Sequence, residues 1–453
     1  MTQVMTLPQH MRAVLVLGTP LVASQLAQFS VQITDTIMLG WYGVEELAAV
    51  TLAGTFFFIF LIMGSGPAFA LMPMVAEAHE AGDDVRVRRL TRMALWISIG
   101  FALAVLPLMW MSAPILQAMG QDEELSLIAQ SYLRIAGFGL IPALGVNSLR
   151  SYLSALEHAR IVLWATIIAA IMNGVINYAL IFGNWGAPEL GVRGAAIASV
   201  TIQIAAGFVL WLYAARLNPE QALFQRLWKP DWEALVDLLK LGVPIGLTTL
   251  AEVGMFSAST IVVGLIGTVE LAAHGIALQI TATFFMVHLG LSMTATVRAG
   301  RALGRRDEVG LRRGALAATL ASVLFGGLTV ILFFVFPEPL IQLFLDPAEV
   351  LRDEIVVLGT SLLVVAALFQ FADGAQAIAM GLLRGVQDTR VPMIIASLSY
   401  WVVGMGSSYV LGITLGFGAV GVWWGLLLGL LCAGAFMSWR FWMQSSRLGS
   451  TSR

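Results

Sequence analysis

Charged residues divide the chain into long apolar intervals, and eight of these contain no Asp, Glu, Lys or Arg at all. An α-helix needs about 20 apolar residues to cross the hydrocarbon of a bilayer. The last interval is long enough for two helices that turn at the glycine-rich segment 412–421. Three more spans each tolerate one charge, at Arg134, Glu252 and Asp373, so the pattern predicts twelve membrane-spanning helices. The uncharged intervals are residues 13–34, 47–76, 93–121, 161–188, 194–215, 271–297, 314–337 and 391–439.

The composition excludes a soluble globular protein. The 453 residues are 58% hydrophobic and only 11% charged, and the mean hydropathy is +0.86, whereas a soluble domain is about a quarter charged. The apolar runs are long and uniform, which excludes the alternation of a transmembrane β-barrel. The first segment begins after Arg12 and is too long for the core of a cleavable signal. A single cysteine, Cys432, excludes an internal disulfide framework and a multi-thiolate metal site. We expect an all-α integral membrane protein.

The basic residues predict the orientation of these helices. Of the 25 Lys and Arg residues, 22 fall at the two termini or in loops on the same side, and only Arg134, Arg193 and Arg352 fall on the other. By the positive-inside rule, both termini, including Arg453, are expected in the cytoplasm, as in a multi-pass protein of the bacterial cytoplasmic membrane. The arginine clusters within 86–92 and 298–313 are interpreted as topology anchors rather than nucleic-acid sites.

The sequence repeats itself with an offset of 224 residues. Leu17–Pro20 overlays Leu241–Pro244, and Glu46–Ala49 overlays Glu270–Ala273. The repeat predicts two lobes of six helices each, over residues 1–225 and 226–453. Because six is an even number, both lobes run in the same direction and are related by a pseudo-two-fold axis along the membrane normal. Transporters with such parallel repeats bind substrate and coupling ion between or within the lobes.

Three carboxyl groups fall inside predicted spans. Asp35 lies toward the outer end of the first span, whereas Glu252 and Asp373 lie near the middle of the seventh and tenth. Burying a carboxyl in the bilayer costs several kcal/mol, so each is a candidate functional group. The depth estimates place no Lys or Arg beside them. A carboxyl removed from water can carry a proton, and paired carboxylates with neutral oxygens can bind a hard cation such as Na⁺.

The repeat assigns different charges to equivalent positions of the two lobes. Glu252 overlays Gln28, and Asp35 overlays Ser259. We therefore expect two lobes that share the same helical arrangement and have different roles in ion coupling.

Neutral polar residues within the spans are candidates for the lining of a cavity. Asn173 and Asn177 share one helix face because they are four residues apart. Bonding between helices is the alternative interpretation for such side chains. His274 and His288 are interpreted as packing or interfacial residues. The predicted cavity residues are Gln28, Asn173, Asn177, Gln203 and Gln279.

Several short motifs, in this order and spacing, resemble the multidrug and toxic compound extrusion (MATE) family and its bacterial NorM branch. The motifs are Thr34–Gly40, Gly186–Gly191, Leu241–Pro244 followed by Ala251–Val253, and Leu383–Gly385. The resemblance implies two six-helix bundles around a V-shaped cavity. It also implies antiport without a cofactor, in which a monomer surrounded by membrane lipid exports small cationic or amphiphilic drug-like compounds in exchange for H⁺ or Na⁺.

The resemblance also implies roles for individual residues. Glu252 and Asp373 match the second-lobe cation site, which implies possible Na⁺ binding there. Asp35 matches the first-lobe acid, and Asn177 matches a polar position near it. Phe369 departs from the family pattern, because NorM-like proteins can carry a tyrosine there. The missing phenol oxygen weakens the prediction of a Na⁺ site and leaves proton coupling open.

Two other functions are weaker interpretations of the same sequence. A lipid-linked saccharide flippase of the related superfamily would need a basic groove for pyrophosphate, and the apolar intervals contain no Lys or Arg to form one. An intramembrane enzyme is disfavoured because the chain lacks His-Glu-x-x-His, P-loop and Gly-x-Ser-x-Gly motifs. We therefore expect a transporter and not an enzyme.

Overall fold

The computed structural model describes residues 5–347 and 350–447. Over these residues the chain forms helices and turns and no strand, and twelve helices are long and apolar enough to cross a membrane. The predicted all-α membrane fold is therefore confirmed. The termini predicted to be cytoplasmic, residues 1–4 and 448–453, lie outside the described residues. The helices are α1 (Leu7–Tyr42), α2 (Val44–Glu80), α3 (Asp84–Trp110), α4 (Glu123–Ala155), α5 (Ala159–Phe182), α6 (Val192–Leu217), α7 (Trp232–Gly264), α8 (Thr268–Arg305), α9 (Glu308–Val335), α10 (Arg352–Gly385), α11 (Arg390–Thr414) and α12 (Gly418–Ser445).

Local chemistry explains where several helices begin and end. The side chain of Asp83 accepts a hydrogen bond of 2.9 Å from the backbone N–H of Arg86 and so caps α3. Its repeat counterpart, Asp307, accepts one of 2.8 Å from the N–H of Gly310 and caps α9. α5 ends at Gly183, whose φ of 70° lies in the left-handed region that favours glycine.

The helices form two compact units. The N-unit is Ala23–Gly246, and the C-unit combines Met1–Val22 with Leu247–Arg453. The boundaries fall inside α1 and α7, two residues after Pro20 and two residues after Pro244. The lobe bounds 1–225 and 226–453 stay a prediction about the sequence repeat. In the structure, the first parts of α1 and α7 belong to the unit formed mainly by the other repeat.

Close backbone contacts at glycines hold the exchanged segments in both units. In the N-unit, a Cβ on Gly242 of α7 would lie 2.5 Å from the Cα of Pro67 in α2. In the C-unit, a Cβ on Gly290 of α8 would lie 2.6 Å from the Cα of Val22 in α1. Positions 66 and 290 are repeat counterparts, as are 18 and 242. Small residues let helix backbones approach closely, which favours association in a membrane.

The middle of α11 departs from α-helical geometry. Leu398–Met405 and Val410–Thr414 are π-helical, with a short α-helical turn between them. A Cβ on Gly429 of α12 would lie 2.7 Å from the Cα of Gly404, so the wide turns pack closely against α12. π-bulges of this kind occur frequently at functional sites. The first π-helical segment carries Tyr400, which is fully buried in the C-unit.

Candidate functional site

Asp35 of the N-unit is bound by two asparagines of α5. The Nδ2 atoms of Asn173 and Asn177 both donate to Oδ1 of Asp35, at 2.5 Å each. Both asparagines are buried, and Oδ1 of Asn177 has no hydrogen-bond partner. The four-residue spacing of the asparagines therefore directs both amides at one carboxyl group. Tyr132 of α4 lies close enough to Asp35 to interact with it electrostatically.

The three predicted glutamines do not join the acids. Gln28 accepts a hydrogen bond from Nη1 of Arg150 in the N-unit. Gln203 of α6 and Gln279 of α8 are half-buried, and their side chains form no hydrogen bond within the described part of the chain. Of the predicted cavity residues, the structure thus brings only Asn173 and Asn177 to a predicted acid.

The C-unit contains a second acid site, around Asp373 of α10. Asp373 is 3% exposed, and its Oδ1 has no hydrogen-bond partner among the residues that the structure describes. One helical turn along, Gln376 donates a hydrogen bond of 2.6 Å from Nε2 to the hydroxyl of Tyr400, while Oε1 of Gln376 has no partner. Glu252 of α7 lies within electrostatic range of Asp373 and within hydrogen-bonding reach of Gln376. Two buried acceptors without a partner in the described part of the chain, Oδ1 of Asp373 and Oε1 of Gln376, thus lie about one helical turn apart on α10.

The expectation that no basic residue neutralises the acids is wrong for Glu252. Arg384 of α10 lies close enough to Glu252 to attract it electrostatically, and its Nη2 lies 2.8 Å from Sδ of Met380. The depth estimate from sequence located the backbone of Arg384 near the cytoplasmic end of the helix. An arginine side chain is long enough to carry its charge several ångströms from that position.

Phe369 lies one turn before Asp373 and packs in an aromatic group. Its ring centroid is 6.0 Å from that of Phe256 and 5.7 Å from that of Trp423. His274 contacts the same aromatic group. Nε1 of Trp423 donates a hydrogen bond of 3.0 Å to Nδ1 of His274, and Nε2 of His274 lies 3.1 Å from the hydroxyl of Thr260. The Thr260 hydroxyl donates to the carbonyl of Phe256, so Nε2 of His274 is the donor.

His288 lies on the other side of α10. Its Nδ1 is 2.8 Å from Oγ of Ser322, and its Nε2 is buried without a partner. A Cβ on Gly374 would lie 2.7 Å from Cε1 of His288, so the helix passes the imidazole closely. Ser322, Gln370 and Gly374 line a cavity of about 70 Å³ in the C-unit.

The two acid sites suit cation exchange more than tight metal binding. Among the described residues, no three His, Cys, Asp or Glu side chains lie together as a metal cluster. The unsatisfied oxygens of Asp373 and Gln376 can accept a proton on the carboxyl or share a monovalent cation with the Tyr400 hydroxyl. Either occupant would satisfy buried acceptors that otherwise cost free energy.

Sequence reasoning missed the polar neighbours of the acids. Gln376 lies three residues after Asp373 on one helix face, and that spacing could have indicated it. Arg150 and Arg384 were interpreted as loop anchors, although they occur in the similar repeat segments Ser148–Arg150 and Leu382–Arg384. Tyr400 had no such signal, because the π-helical register that turns it inward is set by helix packing.

Comparisons with known proteins agree with this architecture. The profile of the MatE family matches residues 20–179 and 244–410. The probable multidrug resistance proteins NorM of Rhizobium meliloti and Agrobacterium fabrum are 42% and 43% identical to this chain. The alignments cover 98% of this chain and 95% and 96% of those proteins, respectively.

Solved transporter structures have the same fold. A multidrug resistance MATE family transporter of the MOP superfamily, in an outward-facing conformation, superposes with a TM-score of 0.88 at 21% identity. A MOP superfamily transporter from Pyrococcus furiosus superposes with a TM-score of 0.87, also at 21% identity. Each superposition covers 98% of this chain and 97% of the other.

Proposed function

The chain belongs to the MatE family, and from that membership we propose that it is a multidrug efflux antiporter, which exports cationic or amphiphilic compounds in exchange for a coupling cation. It is a multi-pass membrane protein and not an enzyme. The relatives' role in multidrug resistance supports the exported class of compound. We place both termini in the cytoplasm and the protein in the bacterial inner membrane, acting as a monomer without a cofactor.

The observation that carries the proposal is the unsatisfied carboxyl oxygen of Asp373. It is buried beside Glu252, where two carboxylates would repel each other if both were ionised. Binding one cation relieves this repulsion, and releasing it restores the repulsion. A site whose energy changes in this way with occupancy is suited to drive an exchange, because only differential binding can shift a conformational equilibrium.

We assign the proton as the coupling ion. Phe369 supplies no oxygen, and Arg384 already provides one positive charge near Glu252. Both features reduce the number of oxygens and the negative charge available to Na⁺, which prefers several oxygen ligands. A proton needs only one unsatisfied carboxyl oxygen, and Asp373 offers it.

A lipid-linked saccharide flippase is less well supported. The buried arginines Arg150 and Arg384 belong to different units, and Arg384 faces Glu252. These two arginines therefore do not form, in either unit, the basic groove that a pyrophosphate would need.

The test is dye efflux by proteoliposomes under separately imposed pH and Na⁺ gradients. The wild-type protein is expected to export ethidium when a pH gradient is applied. Asp373→Asn is expected to reduce this rate at least about tenfold, whereas Asp353→Asn, at the exposed start of the same helix, serves as the matched control. Normal gradient-driven efflux by Asp373→Asn would refute its role, and efflux driven by Na⁺ alone would refute proton coupling.

A further inference from the structure

The two repeats present the same polar face on their first helices. Ser24, Gln25 and Gln28 of α1 overlay Thr248, Thr249 and Glu252 of α7 at the offset of 224 residues. All six side chains are polar, and the last position alone differs in charge. Each unit also has a buried or half-buried arginine on its own long central helix, Arg150 on α4 and Arg384 on α10.

Arg150 is held entirely by neutral oxygens. Its Nη1 donates to Oε1 of Gln28, and its Nη2 lies 2.9 Å from Oγ of Ser24 and 3.3 Å from Oε1 of Gln25. Ser24 Oγ also lies 3.3 Å from the hydroxyl of Thr166, which donates to the carbonyl of Val162, so Ser24 is the donor in that pair. Its lone pairs remain directed at Arg150.

No carboxylate within the described residues contacts this guanidinium. Arg150 is only 8% exposed, and a guanidinium keeps its charge in proteins. Burying a charge without a counter-charge is costly. In the C-unit the corresponding arginine lies within electrostatic range of Glu252, but in the N-unit an amide, Gln28, stands at the position equivalent to that glutamate.

The arrangement therefore leaves a place for an external anion. Three of the five N–H groups of Arg150 are used, and the two others, on Nε and Nη1, have no acceptor within the described part of the chain. Gln28 is exposed, so the arginine can be approached from the side of that residue. Arginine binds carboxylates by charge-assisted hydrogen bonds that are stronger than neutral ones.

We infer that Arg150, with Ser24, Gln25 and Gln28, forms a subsite in the N-unit that binds the carboxylate of zwitterionic export substrates. This inference rests on the proposed export function and adds a specificity-determining residue to it. Compounds that combine a cationic group with a carboxylate would be bound through both charges. The amide at position 28 is what keeps the subsite free for the substrate.

The experiment compares two dyes that differ in this one group. Rhodamine B is a zwitterion with a free carboxylate, and its ethyl ester is a cation of nearly the same shape. Initial efflux rates of both are measured in proteoliposomes of phosphatidylcholine under a pH gradient. For Arg150→Gln, we expect the ratio of rhodamine B efflux to ester efflux to fall about tenfold or more. Arg160→Gln, an exposed arginine at the start of α5, should leave the ratio unchanged.

Gln28→Glu tests the same inference without removing the arginine. The new carboxylate would supply the counter-charge of Arg150 from within the protein and so occupy the subsite. The dye ratio should fall as it does in Arg150→Gln, while the unfolding temperature stays at or above that of the wild-type protein. Gln28→Glu decides the question if Arg150→Gln fails to fold. Because Gln28→Glu keeps its stability, a loss of rhodamine B efflux in that variant cannot be explained by unfolding.

The outcomes separate failure of the subsite from failure of the proposed function. If the wild-type protein exports neither dye, both proposals fail. The subsite alone is overturned if the wild-type protein exports the ester but not rhodamine B. It is also overturned if the ratio of rhodamine B efflux to ester efflux is the same in Arg150→Gln and Gln28→Glu as in the wild-type protein. The subsite would also be overturned if a lipid phosphate is the ligand of Arg150. In that case the dye ratio would not change, and added phosphatidylglycerol would stabilise the wild-type protein but not Arg150→Gln.

Discussion

Arg384 lies within electrostatic range of Glu252 in the C-unit, whereas Arg150 donates a hydrogen bond to Gln28 in the N-unit. Glu252 and Gln28 are repeat counterparts, so the position that faces the arginine charge carries a carboxyl group in one unit and an amide in the other. In the proposed function, the C-unit exchanges the coupling cation at Glu252 and Asp373. The N-unit holds a fixed positive charge instead and keeps its own acid, Asp35, with Asn173 and Asn177.

The Glu252–Arg384 pair is predicted to be energetically coupled. Either Glu252→Gln or Arg384→Gln removes the electrostatic attraction on the remaining charge, and each is expected to destabilise the protein by about 1 kcal/mol or more. The double variant should be less destabilised than the sum of the two, because it leaves no isolated charge. A double-mutant cycle of unfolding free energies in detergent measures this coupling. Additive effects of the two substitutions would show that the side chains do not interact.

The twelve helices could be predicted because they depend on composition and on the spacing of charges along the chain. Asn173 and Asn177 could be linked to one helix face for the same reason. Tyr400 and Arg384 could not be placed, because their positions depend on packing. Tyr400 is buried on a π-helical segment of α11, and the long side chain of Arg384 brings its charge within electrostatic range of Glu252.

The exchange of the first parts of α1 and α7 between the units was also beyond the sequence pattern. The repeat boundary near residue 225 follows similarity along the chain. The unit boundary follows contacts such as those of Gly66 with Gly242. Membrane helices associate through close packing of small residues rather than through hydropathy, so a hydropathy pattern gives no information about which unit a segment joins.

Phe369→Tyr is predicted to increase coupling to Na⁺. The new phenol would lie one turn before Asp373 and could add an oxygen ligand to the carboxyl groups. We expect the ratio of Na⁺-driven to proton-driven ethidium efflux to rise about fivefold or more. Phe371→Tyr provides a control, because this phenylalanine lies on the same helix and is 39% exposed. An equal ratio in the two variants would mean that position 369 does not determine ion selectivity.

Gly242→Ala is predicted to loosen the contact between α7 and α2. The added Cβ would lie 2.5 Å from the Cα and 2.6 Å from the backbone nitrogen of Pro67. The helices must therefore separate, at a cost of about 2 kcal/mol. Thermal unfolding in detergent measures the loss. Gly100→Ala is the matched control, since no atom lies within 4 Å of its added Cβ. Equal unfolding temperatures for wild-type protein and Gly242→Ala would show that this crossing tolerates separation.

An ion pair fixes the start of α7 to α3. Arg89 donates from Nε and, at 3.1 Å, from Nη2 to the carboxylate of Asp231, and Nη2 also lies 2.8 Å from Glu233. Asp231 accepts a hydrogen bond of 3.2 Å from the N–H of Ala234, so it also caps the helix. The hydrogen bonds from Arg89 hold the pKa of Asp231 below its ordinary value of 3.8.

Asp231→Asn removes the charge that pairs with Arg89 but keeps the helix cap, because asparagine is also a good N-cap residue. At neutral pH the variant is expected to be less stable than the wild-type protein by about 1 kcal/mol. A carboxyl whose folded pKa is lowered stabilises the protein above its ordinary pKa, and this contribution is lost as the pH falls through the folded value. The stability difference should therefore shrink as the pH falls below 3.8. Asp237→Asn, which removes an exposed partner of Lys240, should cost little at any pH. Unfolding curves of the three proteins across the pH range test this, and a constant difference for Asp231→Asn would show that its charge contributes nothing.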